Sequence, residues 1–287
     1  MTWDVLAAGV LAGGLYALIG LGVSLVFGVL GLMNLAHGEL VIGGAYLALL
    51  VVVDQGWDHP LAVLPLAALA MALIAYPLQR YLLTPLLRSS KTAPLVATFG
   101  LSLLAQALFQ GAYGIHPQSL PSSYATSGLT LFGVRVQTIY VIAFALGLAM
   151  CAATWLLLTK TRAGSAVRAA SADPRTAAIL GINVNTVYAM TFAWAAALAA
   201  MAGVITGVAQ SFTPTSGLPL VLTGFAVMAL SGIGSIGGVL IAGIALGLLQ
   251  SVSVGLFGGG WQDVVVYVVF FLALAIRPQG VFRRSAH

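Results

Sequence analysis

The chain has 287 residues, of which 61% are hydrophobic and only 6% charged. A soluble domain carries about a quarter charged residues, so a soluble fold is excluded. The net charge of +5 does not point to nucleic acid, because no basic helical face interleaved with aromatics occurs, and basic loops are the ordinary mark of the cytoplasmic side of a membrane protein. The single cysteine, Cys151, lies in an apolar run and excludes an intrachain disulfide or a cysteine-based metal cluster.

The N-terminus, MTWDVLAAGVLAGG, lacks the basic start of a secretory signal, so the first apolar stretch reads as a retained helix. Apolar stretches then follow in order: Val5 to Leu32, Leu40 to Val53, Leu61 to Leu83, Leu95 to Tyr113, Thr138 to Leu158, Val184 to Val208, Leu218 to Leu230, Ile236 to Leu256 and Val264 to Ile276. A spanning helix needs roughly 20 residues, so the pattern predicts an all-α polytopic membrane protein with about 8–9 transmembrane helices. Residues 1–287 read as a single transmembrane domain, because no polar stretch exceeds about 25 residues, far short of a soluble domain. Leu218 to Leu230 is short and reads either as a crossing or as a re-entrant half-helix.

Charge orients the chain. If every stretch crosses and the N-terminus is outside, then of the 11 Lys and Arg residues only Arg135 is outside. If Leu218 to Leu230 does not cross, Arg277, Arg283 and Arg284 join it there. The positive-inside bias favours the first arrangement, with a cytoplasmic C-terminus. The loop from Tyr113 to Val136 then faces outward, and its LTLFGVRV segment alternates well enough for a small hairpin or an extended segment.

Between the first two stretches lies MNLAHGEL, with Asn34, His37 and Glu39. Glu39 is the one acidic residue away from the loops and ends. A charge at mid-bilayer costs on the order of 3 kcal/mol, so these groups must face protein, water or the interface. Two readings are open: a solvated turn of a helical hairpin, or a turn sunk into the bundle whose polar groups line a transport path. Further along, Ser102, Gln106 and Gln110 recur every four residues on one helix face. They can serve interhelical hydrogen bonding or a path for a polar solute.

The stretch SAVRAASADPRTAAILGI begins as a helix continuing the fifth span. Asp173-Pro174 then signals a restart, and Gly181 a stop. The short helix Pro174 to Leu180 projects into the cytoplasm with Ile179 and Leu180 apolar, a surface that needs a partner. SGIGSIGG (Ser231 to Gly238) has no Lys after its glycines, so it is not a nucleotide-binding loop; it reads as a tight turn or a helix interruption near a cavity. His37 and Glu39 form an H-x-E pair without the P-C-x-x-C of zinc deaminases, and neither H-E-x-x-H nor G-x-S-x-G occurs, so enzymatic chemistry has no support.

Five blocks occur in order: GLYALIGLGVSLVFGVLGLMNLAHGELVIGGAY, TFGLSLLAQ, GSAVRAASADPRTAAILGI, SGIGSIGGVLIAGIALGLLQ and RPQGVF. With them the chain resembles the permease family of ABC importers for branched-chain amino acids, H-type subunit, with urea and short-chain amide permeases as close relatives. The MNLAHGE and RAASADPRTAAILGI blocks are the specific ones. Thr223, Ala229 to Gly232 and Gln250 depart from the family pattern, which bears on solute choice. The resemblance implies a permease of the bacterial inner membrane with no cofactor and no ATPase site of its own. It implies as partners a second homologous permease, two cytoplasmic ATPase subunits that bind ATP, an external solute-binding protein and a small-molecule solute. Under it, Asn34, His37, Glu39, Ser102 and Gln106 are candidates for the translocation path. Arg168, Asp173, Pro174, Arg175, Ile179, Leu180 and Gly181 are candidates for ATPase coupling, with Pro174 to Leu180 as the cytoplasmic coupling helix. A secondary transporter or channel remains the alternative, with Glu39 as its one candidate coupling carboxylate.

The orientation is testable. A reporter fused after Arg284 is expected to fluoresce as a cytoplasmic protein and to give no alkaline phosphatase activity. Strong phosphatase activity at that position means that one apolar stretch fails to cross.

Overall fold

The structure, a computed structural model, describes residues 3–54, 59–90, 92–122, 127–131, 134–232 and 234–276. Lys91, Arg277, Arg283 and Arg284, which enter the orientation argument, lie outside the described residues, as does the RPQGVF segment.

Every apolar stretch is helical. Helix α1 spans Trp3–Leu30 and stops at Gly31, whose φ of +65° turns the chain and whose N–H bonds to the Phe27 carbonyl at 3.0 Å. Helix α2 spans His37–Leu49 and runs on as a π-turn over Leu50–Asp54. A 3₁₀ turn at Pro60–Val63, α3 at Leu64–Pro77, a π-turn at Leu78–Leu83 and α4 at Thr84–Ser89 make the next crossing. Pro77 and Pro85 lack N–H donors, and the helix widens into its π-turn between them. Helix α5 is Ala93–Tyr113. Strands β1 (Gly128–Leu131) and β2 (Val134–Gln137) pair antiparallel, the hairpin of the two readings open for this segment. Then come α6 (Thr138–Lys160), α7 (Arg162–Ala172), α8 (Pro174–Ile179) and α9 (Val184–Ala209), followed by α10 (Gly217–Ser231), α11 (Ile236–Phe257) and α12 (Gln262–Ile276). Among the described residues, 6 helical segments are long and apolar enough to cross a membrane, and three shorter apolar ones accompany them.

One expectation fails locally. The inner segment does not continue the fifth span. Thr161 adopts an extended conformation, accepts the Gly164 N–H at 3.0 Å and donates to the Leu157 carbonyl at 2.6 Å, so it ends α6 and caps α7. Gly164 makes the corner possible, since a Cβ there would collide with the Leu157 and Leu158 carbonyls.

Helices α1 and α9 form the core. Helix α9 is mostly buried and α5 mostly exposed, so α5 lies on the outside. No hydrophobic force draws helices together in lipid, and close backbone approach supplies the packing energy instead. Glycine provides it here. A Cβ on Gly13 would strike Ile244 at 2.9 Å from its nitrogen, one on Gly247 would meet Gly13, and one on Gly44 or Gly203 would run into the backbone of Ala200 or Val41.

The bundle has a basic end, where Arg80, Lys160, Arg168 and Arg175 lie beside the C-terminus of α1 and the start of α9. At the other end, Ser251 bonds to the Val5 carbonyl, and Gln118 bridges to Phe212. The two short helices α2 and α10 start in neither place. The chain leaves α1 at the basic end, and residues 31–36 turn back inside. His37 then lies against Gly22, roughly 12 Å up α1 from its end at 1.5 Å per residue. Likewise the chain leaves α9 at the opposite end and descends as non-helical 210–216, and α10 begins against Gly38. The seventh stretch is therefore a half-length helix that starts inside the bundle and follows non-helical chain.

Gly203→Ala is expected to cost about 1–3 kcal/mol, because a backbone carbonyl cannot yield to a methyl group. Gly111→Ala, which points into open space, should cost nothing and can gain up to about 1 kcal/mol of helix propensity. Thermal unfolding of the isolated chain in detergent separates the two.

Candidate functional site

Two helix beginnings meet in the interior. A Cβ on Gly38 would fall on the Gly217 carbonyl, and a Cβ on Gly217 would fall on the Glu39 carboxyl, 2.7 Å from Oε2. Glycine at 38 lets the first turns of α2 and α10 touch, and glycine at 217 leaves room for the Glu39 carboxyl. Glu39 thus sits in the first turn of α2 and against the first residue of α10, at the positive ends of two helix dipoles.

The carboxyl is also held from outside. Ser102 Oγ donates to Glu39 Oε1 at 3.1 Å, and Gln106 Nε2 donates to the same oxygen at 2.8 Å and to Ser102 Oγ at 3.2 Å. Their four-residue spacing puts both on the α5 face that meets α2. Gln110, one turn further, is exposed. Thr98 on the same helix accepts the Leu35 N–H at 3.3 Å and anchors the inturned loop.

Asn34, His37 and Glu39 are only 4%, 1% and 3% exposed, so the turn is sunk into the bundle rather than solvated. Asn34 Oδ1 accepts the Ala36 N–H at 3.1 Å and shapes the turn. Asn34 Nδ2, Glu39 Oε2 and the Tyr46 hydroxyl have no hydrogen-bond partner among the described residues. The Ile19 carbonyl approaches the His37 ring, yet neither ring nitrogen completes a well-formed hydrogen bond. Leaving buried polar atoms unpaired costs about 1–3 kcal/mol each, and these atoms are concentrated at this junction. Above it, Tyr46 stacks at 4.7 Å on both Phe109 and Tyr113 and meets Phe212 edge-on at 5.1 Å.

A second candidate region lies at the basic end. The Asp173 side chain accepts the Arg175 N–H at 2.9 Å and the Thr176 hydroxyl, capping α8. Those two bonds, the Thr176 one foremost, hold the Asp173 carboxyl below its ordinary range. The cap's contribution is therefore present above the ordinary carboxylate pKa and is lost as pH falls through the depressed one. At the other end, Gly181 (φ +86°) donates to the Ala178 carbonyl and Ile182 to the Ala177 carbonyl, both at 3.0 Å, a complete Schellman stop. The helix ends at Ile179, one residue earlier than the sequence suggests, because Leu180 is the cap. Ala177 is buried, whereas Ile179 is 85% and Leu180 74% exposed. Arg175 borders a cavity of about 540 Å³ between α8, α9 and α4. Arg168 stands apart from this group, on α7, beside a different cavity.

Gly38, Gly217, Tyr46 and Thr98 complete the interior site and escaped the sequence reading. The dipeptide Ser216-Gly217 ahead of an apolar run was the only local signal for the second. Thr223 bonds to the Pro219 carbonyl at 2.9 Å within α10, and Gln250 ties α11 to the Gln262 carbonyl at 3.3 Å. Both departures from the family pattern thus serve contacts between or within helices.

Residues 5–274 match the family described as branched-chain amino acid transport system / permease component. The high-affinity branched-chain amino acid transport system permease protein BraD of Pseudomonas aeruginosa is 30% identical over 97% of this chain and 95% of its own. LivH of Escherichia coli K12, a permease protein of the same description, is 29% identical over 96% of this chain and 94% of its own. A probable LivH from Methanocaldococcus jannaschii is 28% identical over 96% and 91%. Among solved structures, PsaBC from Streptococcus pneumoniae in complex with Fab shares the fold, with a TM-score of 0.55 at 14% identity over 97% of this chain and 94% of that one.

Gln106→Leu is expected to destabilise the chain by about 1–3 kcal/mol, since it strips the shorter donor from a buried carboxyl. Gln110→Leu, one turn away and exposed, should be within about 0.5 kcal/mol of wild type. Denaturation in detergent checks both.

Proposed function

Because the chain belongs to the family of permease components of branched-chain amino acid transport systems, we propose that it is the membrane-spanning subunit of an ATP-driven importer. Its solute is a branched-chain amino acid or a related small polar molecule. The observation that carries the proposal is the closed polar junction of Asn34, His37 and Glu39, with Ser102 and Gln106, where two helices begin in mid-bundle. Discontinuous helices whose dipoles converge on one point are how membrane transporters hold a polar solute without bulk water. Uncharged donors together with one carboxyl bind a zwitterion without trapping it. Helix α5 covers the junction and is itself mostly exposed, so a second homologous permease packed against α5 would place the path between the two chains.

The basic end faces the cytoplasm in this reading, and the membrane is the bacterial inner membrane. There Ile179 and Leu180, held out on a helix capped at both ends, dock into a groove on an ATPase subunit, with Arg175 at the rim. Two such subunits bind the ATP, this chain holds no cofactor, and a solute-binding protein delivers from outside. Inverting a 1:99 distribution of outward and inward states takes about 5.5 kcal/mol, within reach of nucleotide binding.

Reconstitution with the partner subunits in liposomes tests the reading. Ile179→Asp should abolish co-purification of the ATPases and solute-stimulated ATP hydrolysis. Glu39→Gln and His37→Ala should leave assembly intact and lower uptake at least about tenfold, a loss of roughly 1.4 kcal/mol. Uptake by the chain without any ATPase would instead favour a secondary transporter.

A further inference from the structure

A cavity of about 320 Å³ opens between α1, α6, α7 and the start of α11, at the basic end and away from the polar junction. Its inner wall is apolar, with Leu21, Leu25 and Ile236, and its outer edge carries Trp155, half-exposed on the outward face of α6. Its polar groups gather at one end. Arg168 is exposed there; its guanidinium bonds only to Ser165 Oγ, at 3.3 Å, and has no carboxylate partner among the described residues.

The N-terminus of α11, a helix of 22 residues, opens at the same place. Ser235 accepts the Gly238 N–H, at 3.2 Å, and Ile236 and Gly237 of the first turn, where helix N–H groups have no intrahelical partner, line the cavity. Ser24 lines the wall at 3% exposure, and its hydroxyl makes no hydrogen bond among the described residues. A hydroxyl without a hydrogen bond among the described residues, a guanidinium held only by Ser165 and a positive helix end thus share one cavity.

A second cavity of about 220 Å³ lies across the wall formed by Leu25, Leu158 and Val167, and is almost wholly apolar, with Met190 and Trp194. Helix α7 roofs both. Its buried face is Gly164, Val167 and Ala170, and its polar face carries Arg162, Arg168 and Ser171, the pattern of a helix lying in the plane of the membrane interface.

We propose that this pair of cavities is a binding site for one anionic phospholipid of the leaflet at the basic end. The phosphate sits between Arg168 and the first turn of α11, and the two acyl chains straddle the Leu25–Leu158–Val167 wall. The apolar depth of the cavities and the tryptophan at their mouth have no use for a free anion, whereas a lipid satisfies both ends. The site requires only that the chain lies in a bilayer, so it stands or falls separately from the transport reading. Its position under α7, which leads directly into α8, makes the lipid a structural support of the segment proposed to meet the ATPase.

The test is native mass spectrometry of the full chain released from detergent after exposure to phosphatidylglycerol and phosphatidylcholine. One tightly retained phosphatidylglycerol per chain is expected, in preference to phosphatidylcholine. Arg168→Gln should reduce that preference about fivefold, the contribution of one basic residue near an anionic surface. Gly237→Leu builds a side chain into space that is open in the structure, so it should fold normally and lose retention of both lipids. The proposal is overturned if the wild type holds both lipids equally, or if both variants retain phosphatidylglycerol like wild type. It is also overturned if inorganic phosphate at millimolar concentration displaces the lipid, which would mark a free-anion site.

Discussion

The contact between the backbones of Gly38 and Gly217 is the constraint on which the rest of this molecule depends. A bilayer supplies no water to irregular backbone, so non-helical chain at membrane depth survives only inside protein. Residues 31–36 and 210–216 are both such chain, and both end where these two glycines touch. The long helices α1 and α9 provide the enclosure: almost every interior position on them is Gly, Ala or a branched aliphatic residue, with α2 packed on α9 and α10 packed on α1. The polar junction is the consequence of stopping two helices in the middle, since their unsatisfied first turns need negative or polar company, and Glu39 provides it.

Glu39 in turn explains α5. An outer helix with little buried surface would have few reasons to hold a fixed rotation. Ser102, Gln106 and Thr98 set that rotation by bonding inward to Glu39 and to the Leu35 amide. The same α1 that carries Gly22 against His37 carries Ser24 and Gly28 into the basic-end cavity less than two turns later. Junction, cavity and α7 are therefore linked by one rigid helix, and a tilt of α1 or α7 would be felt at both sites.

Much of this was legible in the residues. The apolar stretches gave the helices, because a spanning length of uncharged sequence has few other uses. The Asp173-Pro174 restart and the Gly181 stop gave α8 to within one residue, because capping is local chemistry. The Thr161 break was missed, since a lone threonine after a lysine is weak punctuation and the corner depends on Gly164 folding onto Leu157. The partnership of Glu39 with Gly217 could not be read at all: 178 positions separate them, and no periodicity records which turn meets which. The sequence left two readings open for the MNLAHGE turn and two for Leu218 to Leu230. That the turn is buried, and that the second helix starts in mid-bundle, are matters of enclosure, a property of the whole bundle rather than of either segment.

The central claim is that the closed junction opens to solute when the transporter works. In a Cys151→Ala background, Ser102→Cys places a thiol beside Glu39, where exposure is 8% in this structure. Labelling by a membrane-impermeant maleimide should be negligible in the resting assembly and should appear during ATP turnover with solute present. A thiol that stays unreactive throughout turnover, in a variant that still transports, would place the path elsewhere.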